Sequence, residues 1–219
     1  MTIAFSDDAD DYDLLTAWRV GSTRAAELLT RRHYASIRRF FDLRAAAVAD
    51  DLTQQTFLAA VEAKDGFRRE SSFRTFLFGI AHRQLLRQLR DGTPRVQRFG
   101  DGHEPATSLS VVAVRQQEHQ LLMMALAQLP IELQLVCELY YWEDMKTAAI
   151  GEVLERSAST VTSRLARARE LLGEHIAAMT RPGPLRDRLL GDIDGQSDPE
   201  GRGSYLRALG KVTAAANAR

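Results

Sequence analysis

From Leu14 to Leu85, and again from Leu121 to Leu172, apolar side chains recur every three or four positions between polar and charged ones, the pattern of helices that bury one face. Residues 10 to 63 predict three helices. Leu14, Leu15 and Trp18 make a first apolar face that ends near Gly21, and Ala25, Leu28, Leu29, Tyr34, Ile37 and Phe41 continue the period as the second arm of a helical hairpin. In the third helix Leu52, Phe57 and Val61 lie near one face, while Asp51, Gln54 and Gln55 face elsewhere. Ser71 or Ser72 is placed to cap a fourth helix, with Phe73, Leu77 and Ile80 inward and Arg83, Arg87 and Arg90 on a separate stripe. After Leu85 the apolar positions drift to another face, so this helix is expected to bend or to pack on two sides.

The period then stops. Residues 92–112 carry Gly92, Pro94, Gly100, Gly102 and Pro105 without an apolar repeat, and read as a linker that can stretch to roughly 70 Å. A second helical module begins with Leu121, Leu122, Ala125 and Leu129, and Pro130 starts a further helix through Leu133, Val136, Cys137 and Tyr140. Thr147 to Leu154, a turn at Glu155 to Ala158, and a helix capped by Ser157 complete a helix-turn-helix pattern. In that last helix Val161, Leu165, Ala168 and Leu172 form one apolar stripe, and Ser159, Ser163 and Arg167 point away from it, flanked by Thr160, Thr162 and Arg164. The fold class that follows is all-α, two small helical domains joined by a flexible linker. The expected boundaries are 1–91, linker 92–112, 113–181, and an extension 182–219. Within the extension Pro182-Gly183-Pro184 breaks the preceding helix, Leu185 to Ile193 and Ser204 to Ala216 can each form a short helix, and Gln196 to Gly203 reads as disordered. A loose tail is favoured over a docked regulatory segment.

Charge sharpens this division. The chain of 219 residues has no net charge and is 45% hydrophobic, enough for two real cores. Net charge is −3 over residues 1–63, +6 over 64–98, −7 over 99–155 and +3 over 156–181, so two basic islands sit in acidic surroundings. The islands are almost wholly arginine, the side chain that forks onto phosphates and guanine edges. In the first island phenylalanines alternate with arginines, which suits bases stacked on rings with guanidinium groups along the backbone. In the second, short hydroxyls and Arg167 form a surface able to enter a major groove. The lone Cys137 excludes an internal disulfide, and no stretch reaches the roughly 18 apolar residues of a membrane span, so a cytoplasmic protein is expected. The five histidines show no metal spacing, and there is no phosphate-binding glycine loop or local nucleophile signature. Neither an enzyme, a cofactor, a metal nor a small-molecule substrate is expected.

The two halves together carry a family resemblance. Asp51-Leu52, Gln54 and Phe57, then Phe73-Arg74-Thr75-Phe76-Leu77 and Ile80-Ala81 mark the first half. Leu129-Pro130, Ile150, Leu154, Thr160-Val161, Ser163-Arg164-Leu165 and Arg167-Ala168-Arg169 mark the second. In this order the chain resembles an extracytoplasmic-function sigma factor of the sigma-70 family, a dissociable bacterial RNA polymerase subunit. The resemblance implies that Asp51, Leu52, Gln54 and Gln55 dock on the clamp helices of the largest polymerase subunit, and that the second module meets the flap of the second-largest. It implies that Arg68, Arg69, Ser71, Ser72, Arg74, Phe76, Arg83 and Arg87 open and hold the minus-ten promoter element. The minus-thirty-five duplex falls to Ser159, Thr160, Thr162, Ser163, Arg164 and Arg167. Promoter DNA, core polymerase and an anti-sigma factor are the implied partners.

Some positions depart from the family pattern. Phe76 stands for the usual Trp, Arg83 for Asn and Arg87 for Asp, which bears on minus-ten preference. Ala149, Gly151 and Glu155 replace the usual Glu, Ala and turn glycine, and Gln134 an Arg. Because a non-glycine residue resists a left-handed conformation, the turn at Glu155 is expected to be built differently. A stand-alone helix-turn-helix regulator binding an operator as a dimer is the alternative reading.

Overall fold

The computed structural model describes residues 9–68, 71–91 and 111–193, and all regular structure among them is helical. Two compact units result, one built on helices α1 to α4 and the other on α5 to α9.

In the first unit α1 (Asp11–Arg19) starts where the Asp10 side chain accepts from the Tyr12 N–H at 2.8 Å. It closes in a Schellman turn, Ser22 N–H to Ala17 O at 2.9 Å and Gly21 N–H to Trp18 O at 3.0 Å. Gly21 takes φ +97° there, which a side chain would strain. Ser22 caps α2 (Thr23–Ala45), and a 3₁₀ turn at Ala46–Val48 leads into α3 (Ala49–Ala63). Ser72 is the cap of α4 (Phe73–Asp91), its Oγ accepting from the Thr75 N–H at 3.0 Å. Leu14, Leu15, Leu29, Ile37, Phe40, Phe41, Leu77 and Phe78 are buried in the centre.

The inward face of α3 is rotated from the predicted stripe. It consists of Leu52, Thr53, Thr56 and Ala60, with Phe57 half-buried and Val61 exposed. Thr53 and Thr56 donate their hydroxyls to the carbonyls of Ala49 and Leu52 at 2.7 and 2.8 Å, so polar residues enter the core already satisfied. Tyr34, predicted as part of the α2 core face, is also exposed, and stacks on Phe57 at 6.2 Å between ring centroids and 14° between planes.

An ionic clasp joins α1 to α2. His33 Nε2 lies 2.7 Å from Asp11 Oδ2, and the Arg32 guanidinium bonds Asp11 Oδ1 at 2.5 Å. Burial pushes the Asp11 carboxyl up, but hydrogen bonding and charge from His33 and Arg32 outweigh it, leaving the pKa below its ordinary value. The folded state therefore favours the ionised carboxylate. That stabilisation is present above the ordinary pKa of about 3.9 and is lost as pH falls through the depressed one. Asp11→Asn is expected to cost about 1 kcal/mol at neutral pH, with the gap to wild type closing in strong acid, as measured by urea unfolding across pH.

In the second unit α5 (Val111–Ala127) is followed by α6 (Ile131–Cys137), which begins at Pro130 and runs on as a π-helical turn, Glu138–Trp142. Gln134 donates to Leu129 O at 2.8 Å and so covers a carbonyl at the end of the α5–α6 connection. Then come α7 (Thr147–Leu154) and α8 (Ala158–Met179). The predicted α8 stripe is buried and extends one turn further to Ile176. The first part of the extension is docked rather than loose: α9 (Pro184–Ile193) packs on α8 and α5. Leu189 and Ile193 are buried, and Arg188 bonds Glu118 Oε1 at 2.6 and 3.0 Å. An apolar face and one buried carboxylate partner were enough to seat this helix. The proposed second tail helix, the disordered stretch and nearly all of the proposed linker lie outside the described residues.

Candidate nucleic-acid interfaces

On α3 the side chains of Asp51, Gln54 and Gln55 are exposed together, whereas Leu52 is buried beneath them and supports the patch. The outward face continues along the helix through Leu58 and Val61, 55% and 43% exposed. A surface that is polar at one end and apolar at the other suits a protein partner, and its apolar end was hidden in the sequence within an otherwise ordinary helical repeat.

The basic aromatic segment converges on a ring cluster. Phe67 lies 4.8 Å from Phe76 and 6.4 Å from Phe73, Phe73 and Phe76 are 6.0 Å apart, and Trp18 meets Phe73 edge-on at 6.4 Å. Phe73 is buried and anchors the cluster, while Phe67 and Phe76 are only half-buried and keep ring surface at the outside. Arg68, next to Phe67 in the chain, is exposed, as are Arg83 and Arg87 further along α4, and Ser71 is half-buried beside the capping Ser72. Arg74 lies over the Phe78 ring at 5.9 Å, which directs it along its own helix. Arg69 lies outside the described residues. Phe67 is not among the expected site residues; its spacing from Phe73 and Phe76 across the capping serines is the sequence signal that marks it.

In the second unit the turn before α8 takes the left-handed form after all. Arg156 N–H reaches Gly151 O at 2.9 Å and Glu155 N–H reaches Glu152 O at 3.4 Å, a Schellman turn with Glu155 at φ +54°. A Cβ on Gly151 would stand 2.6 Å from the Arg156 carbonyl oxygen, so the absent side chain there permits the close return of the chain. Glycine and side chain have in effect changed places relative to the family pattern. Glu155→Gly is expected to stabilise this unit by about 1 kcal/mol by relieving the left-handed strain, and Gly151→Ala to destabilise it. Calorimetric melting of the two variants checks both signs.

On helix α8, Ser159, Thr162, Ser163 and Arg167 are exposed, with Thr160 and Arg164 half-buried beside them. Ser157 Oγ accepts from the Thr160 N–H at 3.2 Å and lies 2.9 and 2.8 Å from the Ser159 and Thr160 hydroxyls. Thr162 and Ser163 donate to the carbonyls of Ala158 and Ser159 at 3.0 and 3.1 Å, leaving their oxygen lone pairs outward as acceptors. The arginines divide. Arg169 donates to Tyr141 Oη at 2.8 Å from half-buried surroundings and is held away from the face, while burial pushes the Tyr141 hydroxyl pKa up. Arg164 pairs with Glu132 across helices at 2.7 Å, and its side chain is only 22% exposed. Arg167 pairs with Glu170 one turn on at 2.9 Å, both open to solvent, a weak contact that a guanine edge or phosphate can displace.

Comparison with known proteins finds two family matches along the chain. Residues 27–95 match Sigma-70 region 2 and residues 119–172 match Sigma-70, region 4. The chain is 28% identical over 191 residues to the ECF RNA polymerase sigma factor SigC of Mycobacterium tuberculosis, covering 78% of this chain and 94% of that one. It is 26% identical over 187 residues to the RNA polymerase sigma-H factor of Pseudomonas aeruginosa, covering 78% and 96%. The chain is an extracytoplasmic-function sigma factor of the sigma-70 family. As an alternative sigma factor it directs transcription initiation, and sigma factors are regulatory rather than catalytic. Among solved structures this sigma factor resembles CnrH, determined in complex with the cytosolic domain of CnrY, with TM-score 0.57 and 27% identity over 78% of this chain and 99% of CnrH. It shares its fold with RpoE of Bartonella quintana, determined with the anti-sigma factor NepR, at TM-score 0.53 and 23% identity over 69% and 96%. In this sigma factor none of the described helices is long and apolar enough to cross a membrane, and no described group of three His, Cys, Asp or Glu could hold a metal ion.

Proposed function

We propose that this sigma factor docks on the clamp helices of the largest subunit of core RNA polymerase through Asp51, Gln54 and Gln55, with its second unit against the flap of the second-largest. The ring cluster of Phe67 and Phe76 with Arg68, Arg83 and Arg87 holds an unstacked base of the minus-ten element. Extruding a base costs a few kcal/mol, and a preformed aromatic surface offsets that cost without a nucleotide-driven step. Helix α8 reads the minus-thirty-five duplex through Arg167 and the hydroxyl acceptors of Ser159, Thr162 and Ser163, with Thr160 and Arg164 nearer the backbone. The observation that carries this reading is the region 2 match followed by the region 4 match on one chain, each coinciding with an exposed basic face.

The protein works in the cytoplasm without catalytic activity of its own. An anti-sigma factor is its further partner, a reading supported by the similar CnrH having been determined in complex with another protein, the cytosolic domain of CnrY. About 58 Å separates the two elements across a spacer of roughly 17 base pairs, within the roughly 70 Å reach of residues 92–112. With Arg169 withdrawn, two arginines remain on the reading face of α8. Binding there depends on the tether to polymerase, which supplies effective concentration. Transcription in vitro with core polymerase on genomic fragments, with start sites mapped, tests the reading. Start sites sharing two spaced elements support it, and a polymerase-independent footprint on a palindrome would overturn it in favour of a dimeric operator-binding regulator.

A further inference from the structure

Arg19, the last residue of α1, belongs to no motif of the sequence, yet its side chain crosses to the loop that precedes α4. Its Nε and Nη2 donate to Lys64 O at 2.9 and 2.6 Å, and Nη2 donates also to Phe67 O. These carbonyls begin and end the 3₁₀ turn Lys64–Gly66, whose own closing bond, Phe67 N–H to Lys64 O, is long at 3.4 Å. Glycine at position 66 and exposed Asp65 give this turn no packing of their own. The guanidinium is therefore the strongest tie that sets where Phe67 leaves the turn. Phe67 in turn is the ring closest to Phe76 in the cluster.

We infer that Arg19 is a positioning residue for single-strand capture: its fork on Lys64 and Phe67 holds the Phe67 ring against Phe76 and keeps Arg68 beside it. Arg19 touches no base. It acts through Phe67, so the inference rests on the proposed reading of the ring cluster as the minus-ten binding surface. Without the guanidinium, Phe67 O loses that donor and Lys64 O keeps the long bond from Phe67 N–H, so both can turn to water and the loop then samples orientations in which the two rings part. The loss falls on strand binding, since stacking requires ring surfaces already in place, and a pre-ordered loop avoids the ordering cost at the moment of capture.

The experiment uses holoenzyme assembled from core polymerase and the full chain, with a fork-junction probe whose minus-ten strand is unpaired. Arg19→Ala is expected to weaken probe binding about tenfold, the size of one lost base stack, while affinity for core polymerase stays within about twofold. Phe67→Ala is expected to weaken it comparably, and the double variant no more than Phe67→Ala alone, because the first residue acts through the second. Parallel losses of core affinity and probe binding in Arg19→Ala would show a merely structural role and overturn the inference, as would additivity with Phe67→Ala. If Phe67→Ala and Phe76→Ala weaken probe binding and Arg19→Ala does not, the inference about Arg19 alone falls. If both phenylalanine variants bind like wild type, the minus-ten reading itself falls.

Discussion

Replacing Asp51 and Gln54 together with alanine is expected to abolish retention of the protein on core RNA polymerase, with helicity unchanged. Both side chains are exposed on α3 and neither contributes to the unit's core, so their removal costs little folding energy. What is lost is the polar end of a surface whose other end is Leu58 and Val61. Paired polar contacts at the centre of an interface can each be worth about 2 kcal/mol or more, and two of them amount to roughly a thousandfold in affinity. Copurification and circular dichroism of the double variant check this, and normal retention would refute the clamp assignment. Leu52→Ala is a useful contrast. Leu52 is buried, so that change is expected to lower the melting temperature first and polymerase affinity only with it.

Arg167→Ala is expected to weaken promoter binding by the holoenzyme by about 1–3 kcal/mol, and selectively. Arg167 is the α8 arginine whose partner, Glu170, is as open to solvent as itself, so exchange of that pair for a guanine edge costs little. The measurement is affinity on a panel of minus-thirty-five sequences. A loss confined to promoters with one base at one position marks a base contact, and an equal loss on every sequence marks a phosphate contact. Arg164 differs in kind. Its bond to Glu132 holds it partly buried against the unit, so Arg164→Ala is expected to weaken binding evenly across sequences, as loss of a phosphate contact does.

Helical period was a sufficient guide for the inward faces of α1 and α8. The stripe of Val161, Leu165, Ala168 and Leu172, the caps at Ser72 and Ser157, and the stop at Gly21 all follow from local rules, since a cap or a left-handed glycine needs only near neighbours in the chain. The all-helical fold is equally local in origin. Short motifs such as Asp51-Leu52, Phe73-Arg74-Thr75-Phe76-Leu77 and Ser163-Arg164-Leu165 carried the family, because each is a run of near neighbours and their order is written along the chain itself.

Tertiary structure decided the rest. Period alone put Phe57 and Val61 on the core face of α3, but threonines that bond their own backbone can turn inward instead, and only packing against neighbouring helices chooses between them. Glu155 was expected to force a different turn, yet Gly151 leaves room for the chain to return, an exchange between positions four apart that shows only in three dimensions. The α8 arginines look alike in the chain, and it is Tyr141, Glu132 and Glu170, at sequence distances of 28, 32 and 3, that leave one withdrawn, one held against the unit and one paired in the open. Arg19 lies 45 residues before Lys64 and has no signature at all. Long polar side chains choose partners by proximity in the folded chain, and that proximity is what a linear pattern of hydrophobic residues does not encode.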